Sequence, residues 1–378
     1  MPTPRTLVPI AACLLAGGLM AAPAAAQTAA KTAGQTAGQP GATHGDARPE
    51  HHRPSYEWDI TPTGSTDQFR GLAAVSGQVA WVSGEHGTVL RTTDGGSSWQ
   101  DVSPRHASGL LLRDIEAFDD QQAVALSIGP GEDSRVYSTT DGGQTWTETF
   151  RNTNPDAFYD CMAFSRDGTG LAMSDPVDGY FRLARTTDFG QSWEVLPTTG
   201  MPPARDNEFG FAASGTCVIS GPGHVFRIAT GGTQPRIFRT WDAGNHWSVH
   251  NAPVRGGDTA GIYSIAFRWL LQGVIVGGDF NDETNGADAA ASTRSGGWHW
   301  QLSREQVGGY RSGVEFVPHT LGTVVAVGPT GSDVSYDGGR TWTGFDTDWY
   351  DGVQCARDGA CWASGTDGRV AKLQRSWR

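Results

Sequence analysis

The chain has little positive charge and few cysteines. Its 28 lysines and arginines are outnumbered by 40 aspartates and glutamates, which gives a net charge of −12. Because a nucleic-acid-binding protein carries a basic patch or stripe, this balance excludes nucleic acid as the expected partner. The five cysteines show no Cys-x-x-Cys or Cys/His spacing, so we expect no zinc site. No other metal or cofactor is indicated.

Long apolar runs are missing except near the N-terminus. The run at 7–22 follows Arg5 and is short for a membrane span. With the small residues that follow, it predicts a signal peptide at 1–26, cleaved after Ala26. A lipoprotein-type cleavage before Cys13 is the less favoured alternative. We therefore expect a periplasmic or secreted protein without a transmembrane segment.

Large apolar side chains are also scarce in 27–54, which consists mostly of alanine, glycine, threonine, glutamine and proline. Such a segment cannot bury enough surface to fold, and we interpret it as a flexible linker. The remainder, 55–378, is predicted to be one domain, expected to be a monomer.

That domain contains an eight-residue motif six times, first as Thr-Thr-Asp-Gly-Gly-Ser-Ser-Trp at Thr92–Trp99. The fifth copy has Ser295 in place of the aspartate. The aspartates of the other copies are Asp94, Asp141, Asp188, Asp242 and Asp337. An aspartate followed by glycine favours a tight turn, and the tryptophan can bury its ring against a neighbouring unit. A repeat of this length indicates a supersecondary unit that is copied around an axis.

The motif resembles the Asp-box, or BNR repeat, of sialidases and related β-propellers. The resemblance covers the chain from about Tyr56 onward and implies a turn between the third and fourth strands of a blade, with a structural role. Six motifs and one incomplete unit after Tyr350 predict seven blades. The strand Tyr56–Ile60 is predicted to pair beside Val370–Leu373, which would complete the last blade and close the ring. The predicted fold class is therefore an all-β, seven-bladed β-propeller.

Four cysteines follow the predicted signal peptide. Cys355 and Cys361 flank a hairpin turn and could form a disulfide, with two buried thiols as the alternative. Cys161 and Cys217 fall in adjacent units and could also pair, but their spacing does not decide it.

The first strand of each blade lines the channel, so its first residues lie at one mouth. Aligning the seven units places these residues at equivalent positions: Arg70, Arg113, Tyr159, Glu208, Ile262, Arg311 and Asp351. The three arginines could hold a carboxylate or sulfate, with Tyr263 and Tyr310 beside them. In the alternative, these groups are solvated and pair with one another. If the protein is an enzyme, Tyr159, Glu208 and Asp351 are the candidate catalytic residues, since sialidases use a tyrosine nucleophile.

A second resemblance, carried by Asp175–Phe181, Gly261–Phe267 and Gly277–Phe280, is to the photosystem II assembly-factor family and its bacterial relatives. It implies a non-catalytic, exported binding or assembly propeller with a protein partner. The alternative is a sialidase-like glycoside hydrolase or a lyase that acts on an anionic glycan, although the order of the sialidase residues is absent. Two expected insertions between second and third strands, Gly221–Arg236 and Asn281–Ala291, are candidates for specificity loops.

Overall fold

The computed structural model describes residues 53–377. The predicted signal peptide, Cys13 and all but the last two residues of the predicted linker lie outside the described residues. The described part is all-β, with seven antiparallel sheets arranged as the blades of a propeller. The predicted fold class is confirmed.

Blades 1 to 3 each have four strands. They are β2 (Phe69–Ala74), β3 (Ala80–Gly84), β4 (Val89–Thr92) and β5 (Gln100–Asp101); β6 (Leu111–Ala117), β7 (Ala123–Ile128), β8 (Arg135–Thr139) and β9 (Thr147–Arg151); and β10 (Tyr159–Phe164), β11 (Gly170–Val177), β12 (Tyr180–Thr186) and β13 (Glu194–Val195). Two short 3-10 turns, Glu85–Gly87 and Gly131–Asp133, connect strands in blades 1 and 2.

Blades 4 to 6 follow in chain order, and blade 5 carries two extra strands, β14 (Glu208–Phe209) and β17 (Gly231–Gly232). The regular strands are β15 (Val218–Ser220), β16 (Phe226–Ala229), β18 (Arg236–Thr240) and β19 (Trp247–Asn251); β20 (Gly257–Arg268), β21 (Gln272–Asp279), β22 (Ala290–Thr293) and β23 (Gln301–Leu302); and β24 (Gly313–Phe316), β25 (Val324–Gly328), β26 (Gly331–Ser335) and β27 (Thr343–Asp346).

Blade 7 joins the two ends of the described chain. Its strands are β28 (Tyr350–Cys355), β29 (Cys361–Gly365), β30 (Arg369–Ser376) and β1 (Ser55–Pro62). Strand β1 pairs with β30 along its whole length, with Trp58 opposite Leu373. The Trp58 ring lies 5.2 Å from the Tyr350 ring, and its Nε1 donates to Ser332 Oγ at 2.9 Å. The predicted closure by the N-terminal strand is confirmed.

Each aspartate motif forms a turn between the third and fourth strands of its blade. In the first, Thr92 Oγ1 donates to Asp94 Oδ1 at 2.9 Å, and the Ser98 backbone N–H donates to the same oxygen at 2.9 Å. These bonds, with that from the Ser98 hydroxyl as the largest contribution, lower the pKa of Asp94 to about 2. In the fifth turn the Ser295 hydroxyl accepts the corresponding bond from the His299 N–H at 2.8 Å.

The tryptophans of these turns contribute to the packing between neighbouring blades. Trp146 of blade 2 packs edge-on against Trp81 of blade 1, with ring centroids 6.4 Å apart. Trp99 of blade 1 packs in the same way against Trp362 of blade 7 at 6.1 Å. The motif therefore stabilises both a turn and an interface between blades.

Blade 4 departs from the prediction. Its inner strand was expected near Asn207–Ala213, but it is the short strand β15 that begins at Val218, and Glu208 belongs to the small strand β14 instead. The expected insertion Gly221–Arg236 is also wrong, because it contains the second strand, β16. Gly215, with φ +75°, allows the sharp turn before β15, and a Cβ there would lie 2.3 Å from a carboxylate oxygen of Asp114.

Candidate functional site at the channel mouth

The channel mouth is occupied by residues 210–214, which we call the plug. This segment stands where blade 4 would otherwise continue its inner strand. The Ala213 carbonyl accepts a hydrogen bond from Arg70 Nη1 at 3.3 Å, and the Ala212 carbonyl accepts one from Arg113 Nη1 at 3.1 Å. Ser214 Oγ donates to the Ser312 carbonyl at 2.6 Å, which ties the plug to blade 6. The Gly210 N–H donates to Asp175 Oδ1 at 2.8 Å. Together these four hydrogen bonds connect the plug to blades 1, 2, 3 and 6.

Aromatic side chains hold the plug from the side of blades 5 and 6. Phe211 stacks on Tyr263 with ring centroids 3.7 Å apart, and Tyr310 packs edge-on against Tyr263 at 4.6 Å. The Tyr263 hydroxyl donates to the Thr259 carbonyl at 2.7 Å. Both tyrosines are buried, and burial raises the pKa of each phenol. Tyr263 and Tyr310 therefore support the plug and do not face solvent.

Two of the three predicted arginines come together at the mouth. Arg70 forms an ion pair with Asp351 at 3.2 Å, and Arg113 lies beside it. Burial, followed by the positive charge of Arg70, lowers the pKa of Arg113 to about 10. Arg311 is different, because its side chain is buried against Asp333, with Nε donating to Oδ2 at 2.6 Å. Its guanidinium belongs to blade 6 and does not share the mouth.

The three candidate catalytic residues are each buried and each contact partners of their own. Glu208 is buried in an ion pair with Arg236, whose Nε donates to Oε1 at 2.8 Å. Asp351 is buried against Arg70 and accepts a bond from Gln68 Nε2 at 2.7 Å. Tyr159 is fully buried beside Phe150, and burial raises its pKa to about 12. All three side chains are thus buried, and the two carboxylates are held in ion pairs.

Below the plug lies a cavity of about 210 Å³ in the channel. Asp114 and Ser214 at its upper end are buried, whereas Glu116 and Glu315 further down are partly exposed. The cavity therefore opens toward the face that carries the hairpins between the first and second strands. Neither Glu116 nor Glu315 was among the predicted site residues. The signal was present, because Glu116 is two residues after Asp114 and side chains two apart on a strand share a face.

The channel carboxyls should make stability depend on pH. Burial raises the pKa of Glu116 from its ordinary 4.5 to about 8 and that of Glu315 to about 7. The folded protein then binds more protons than the unfolded chain between about pH 4.5 and 8, so stability falls as pH rises through that range. We expect the free energy of unfolding, measured by urea titration, to fall less steeply with rising pH in the double variant Glu116→Gln with Glu315→Gln than in the wild type. An unchanged slope in that double variant would contradict the assignment.

Two disulfides are present within residues 53–377. Cys355 is bonded to Cys361 across the turn between β28 and β29. Cys161 of β10 is bonded to Cys217, immediately before β15, and this bond anchors the segment that follows the plug. Disulfides are typical of oxidising, extracellular-type compartments. Among residues 53–377, no helix is long and apolar enough to cross a membrane, and no group of three histidine, cysteine or acidic side chains is arranged to hold a metal.

Comparison with known proteins supports the fold. No family model and no curated protein matches the chain. A structure described as YCF48 bound to D1 peptide matches with 15% identity and a TM-score of 0.58, covering 85% of this chain and 97% of its own. YCF48 from Cyanidioschyzon merolae matches with 15% identity and the same TM-score, covering 84% and 98%.

A third likeness is to the GH74 xyloglucanase from Xanthomonas campestris. It has 13% identity and a TM-score of 0.58, and the match covers 85% of this chain but 56% of the xyloglucanase. All of these likenesses are to propellers of low sequence identity. They show the fold and leave the activity open.

Proposed function

We propose that this protein is an exported propeller that binds a segment of a partner protein at its channel mouth and catalyses no reaction there. The observation that carries the proposal is the plug. The chain fills its own mouth, and Glu208 and Asp351 are held in buried ion pairs. The structure of YCF48 bound to D1 peptide, which has the same fold, supports a peptide as the ligand class. The six turns, which we assign to the Asp-box class, serve the scaffold in this proposal.

Arg113 is the residue on which we expect binding to depend. The residue is half-buried and donates to the Ala212 carbonyl, but among the described residues it forms no ion pair, whereas Arg70 beside it pairs with Asp351. A carboxylate of the partner can therefore form an ion pair with Arg113 without breaking an existing ion pair. Arg311 is not part of the proposed site, because its guanidinium is already paired with Asp333.

The test is a selection from a phage-displayed peptide library on the purified full chain. The selected peptide should bind Arg113→Gln about tenfold more weakly, as expected for loss of a charge-assisted hydrogen bond. The matched control is Arg105→Gln, an exposed arginine in the connection between blades 1 and 2. Wild-type binding should also weaken as salt rises.

Two results would count against this function. One is equal peptide binding by wild type and Arg113→Gln. The other is turnover of an acidic glycan that Asp351→Asn abolishes, since this would establish the glycosidase alternative.

A further inference from the structure

We propose that the hairpin face of blades 5 and 6 binds the surface of an anionic membrane. The apolar patch on this face consists of five exposed side chains, Trp269, Leu270, Leu271, Trp298 and Leu321. Leu321 is 100% exposed and Trp269 is 77% exposed. Scattered single apolar residues need no explanation, but a group of this kind indicates an interaction surface. The proposal does not depend on the peptide site at the mouth.

Comparison among the blades shows that the patch is a local feature. The equivalent hairpins of blades 1 to 4 and blade 7 have polar or small residues at their tips: 76–78, 119–121, 166–168, 222–224 and 357–359. In blade 5 the tip is Trp269-Leu270-Leu271, and Trp269 has a left-handed φ of 61°. That conformation is unfavourable for a bulky side chain, and the ring is nevertheless largely exposed to solvent.

The turn between the third and fourth strands of blade 5 is also less acidic and carries an exposed apolar side chain. Its motif has Ser295 where five other turns have an aspartate, and it carries Arg294 and the exposed Trp298. The Gly296 N–H donates to the Leu271 carbonyl at 2.9 Å, so the turn and the hairpin form one surface. The stretches 268–272 and 293–301 contain no acidic residue.

Blade 4 adds uncompensated positive charge beside this surface. In blades 1 and 3 the arginine of the third strand is matched by an acceptor on the fourth: Arg91 donates to Gln100 at 2.7 Å, and Arg185 Nε donates to Glu194 at 3.0 Å. The corresponding arginine of blade 4, Arg239, is opposite Ser248. Its guanidinium lies 6.0 Å from the Trp298 ring.

A second arginine, Arg227, lies across the ladder from Arg239 and is almost completely buried. Its guanidinium stacks on Phe267 at 3.7 Å and donates to the Leu270 carbonyl at 3.4 Å. Among the residues described here, four arginines around the patch form no ion pair with a carboxylate: Arg227, Arg239, Arg268 and Arg294. The patch is thus basic and apolar in a protein whose net charge is −12.

This combination fits a lipid surface better than a folded protein partner. Hot spots in protein interfaces lie in well-packed pockets, whereas these side chains project from hairpin tips. Projecting tryptophan and leucine can enter the headgroup region, and arginine beside them can reach lipid phosphates. Since the rest of the protein is acidic, only this face should be attracted to an anionic bilayer.

The test is sedimentation of the full chain with vesicles of phosphatidylcholine alone or with phosphatidylglycerol. We expect binding to the anionic vesicles that weakens with salt. Trp269→Ser with Leu271→Ser should reduce the vesicle partition coefficient at least about tenfold. Arg268→Gln with Arg294→Gln should reduce it about fivefold for each arginine.

Matched variants on other blades serve as controls. Ile60→Ser with Val195→Ser removes exposed apolar side chains, and Arg105→Gln with Arg166→Gln removes exposed arginines. Both should bind vesicles as the wild type does. The proposal is overturned by absence of vesicle binding, by equal loss in the control variants, or by a protein that binds the patch while vesicles do not. Unchanged thermal unfolding in every variant would exclude misfolding as the cause of a loss.

Discussion

Replacing residues 55–62 with a glycine–serine linker of the same length is expected to open the ring and cause the protein to aggregate. Strand β30 would lose its partner along eight paired residues, and an unpaired edge is a template for association with other chains. The contacts of Trp58 with Tyr350 and Ser332 would be lost as well. The strand also contributes the buried Tyr56, and removing a buried aromatic side chain typically costs about 3–5 kcal/mol. Thermal unfolding and sedimentation velocity would measure the effect.

A synthetic peptide of residues 53–62 should rescue this variant, because it can supply the missing strand in trans. The same peptide with proline in place of Trp58 should fail, since it loses both the indole and a backbone donor. In the intact chain, Trp58→Ala should destabilise the protein. Glu57→Ala is its matched control, because Glu57 is exposed on the same strand. If the linker variant unfolds as the wild type does, β1 does not close the ring.

Asp333→Ala is expected to destabilise the protein by about 3–5 kcal/mol, because it leaves the buried Arg311 guanidinium without its carboxylate. The free energy of unfolding from urea titration is the measurement. As a comparison, Asp348→Ala breaks the pair with Arg369 at 3.9 Å, in which both partners are partly exposed. That change should cost less than about 1 kcal/mol.

The double variant Arg311→Leu with Asp333→Leu separates a buried charge from a general loss of packing. Two apolar residues of similar volume can replace a buried ion pair with little loss of stability. We therefore expect the double variant to be more stable than Asp333→Ala. If it is not, the pair is required for a reason other than mutual charge compensation.

The blades were predictable because their signals are local. The aspartate turns depend on hydrogen bonds between residues two and four apart, such as Thr92 with Asp94 and Asp94 with Ser98. The closing strand was predictable from the missing fourth strand of blade 7. Both inferences need only the order of the units along the chain.

The mouth was predicted less well, because its contacts join residues that are distant in sequence. Asn207–Ala213 has the polar-to-apolar pattern of an inner strand, but its residues pair with β17 and with arginines of blades 1 and 2. Arg311 occupies the expected position in the chain, but its ion pair with Asp333 determines where its side chain points. Equivalent backbone positions therefore did not give equivalent side-chain environments.

The plug also gives the channel a direction. Residues 210–214 lie across one end of the channel, whereas Glu116 and Glu315 are partly exposed toward the other end. The hairpin face at that end carries Trp269 and Leu321. A propeller bound to a bilayer through these residues would hold the channel cavity, with Glu116 and Glu315, against the lipid. Exchange between that cavity and bulk solvent would then depend on how long the protein stays on the membrane.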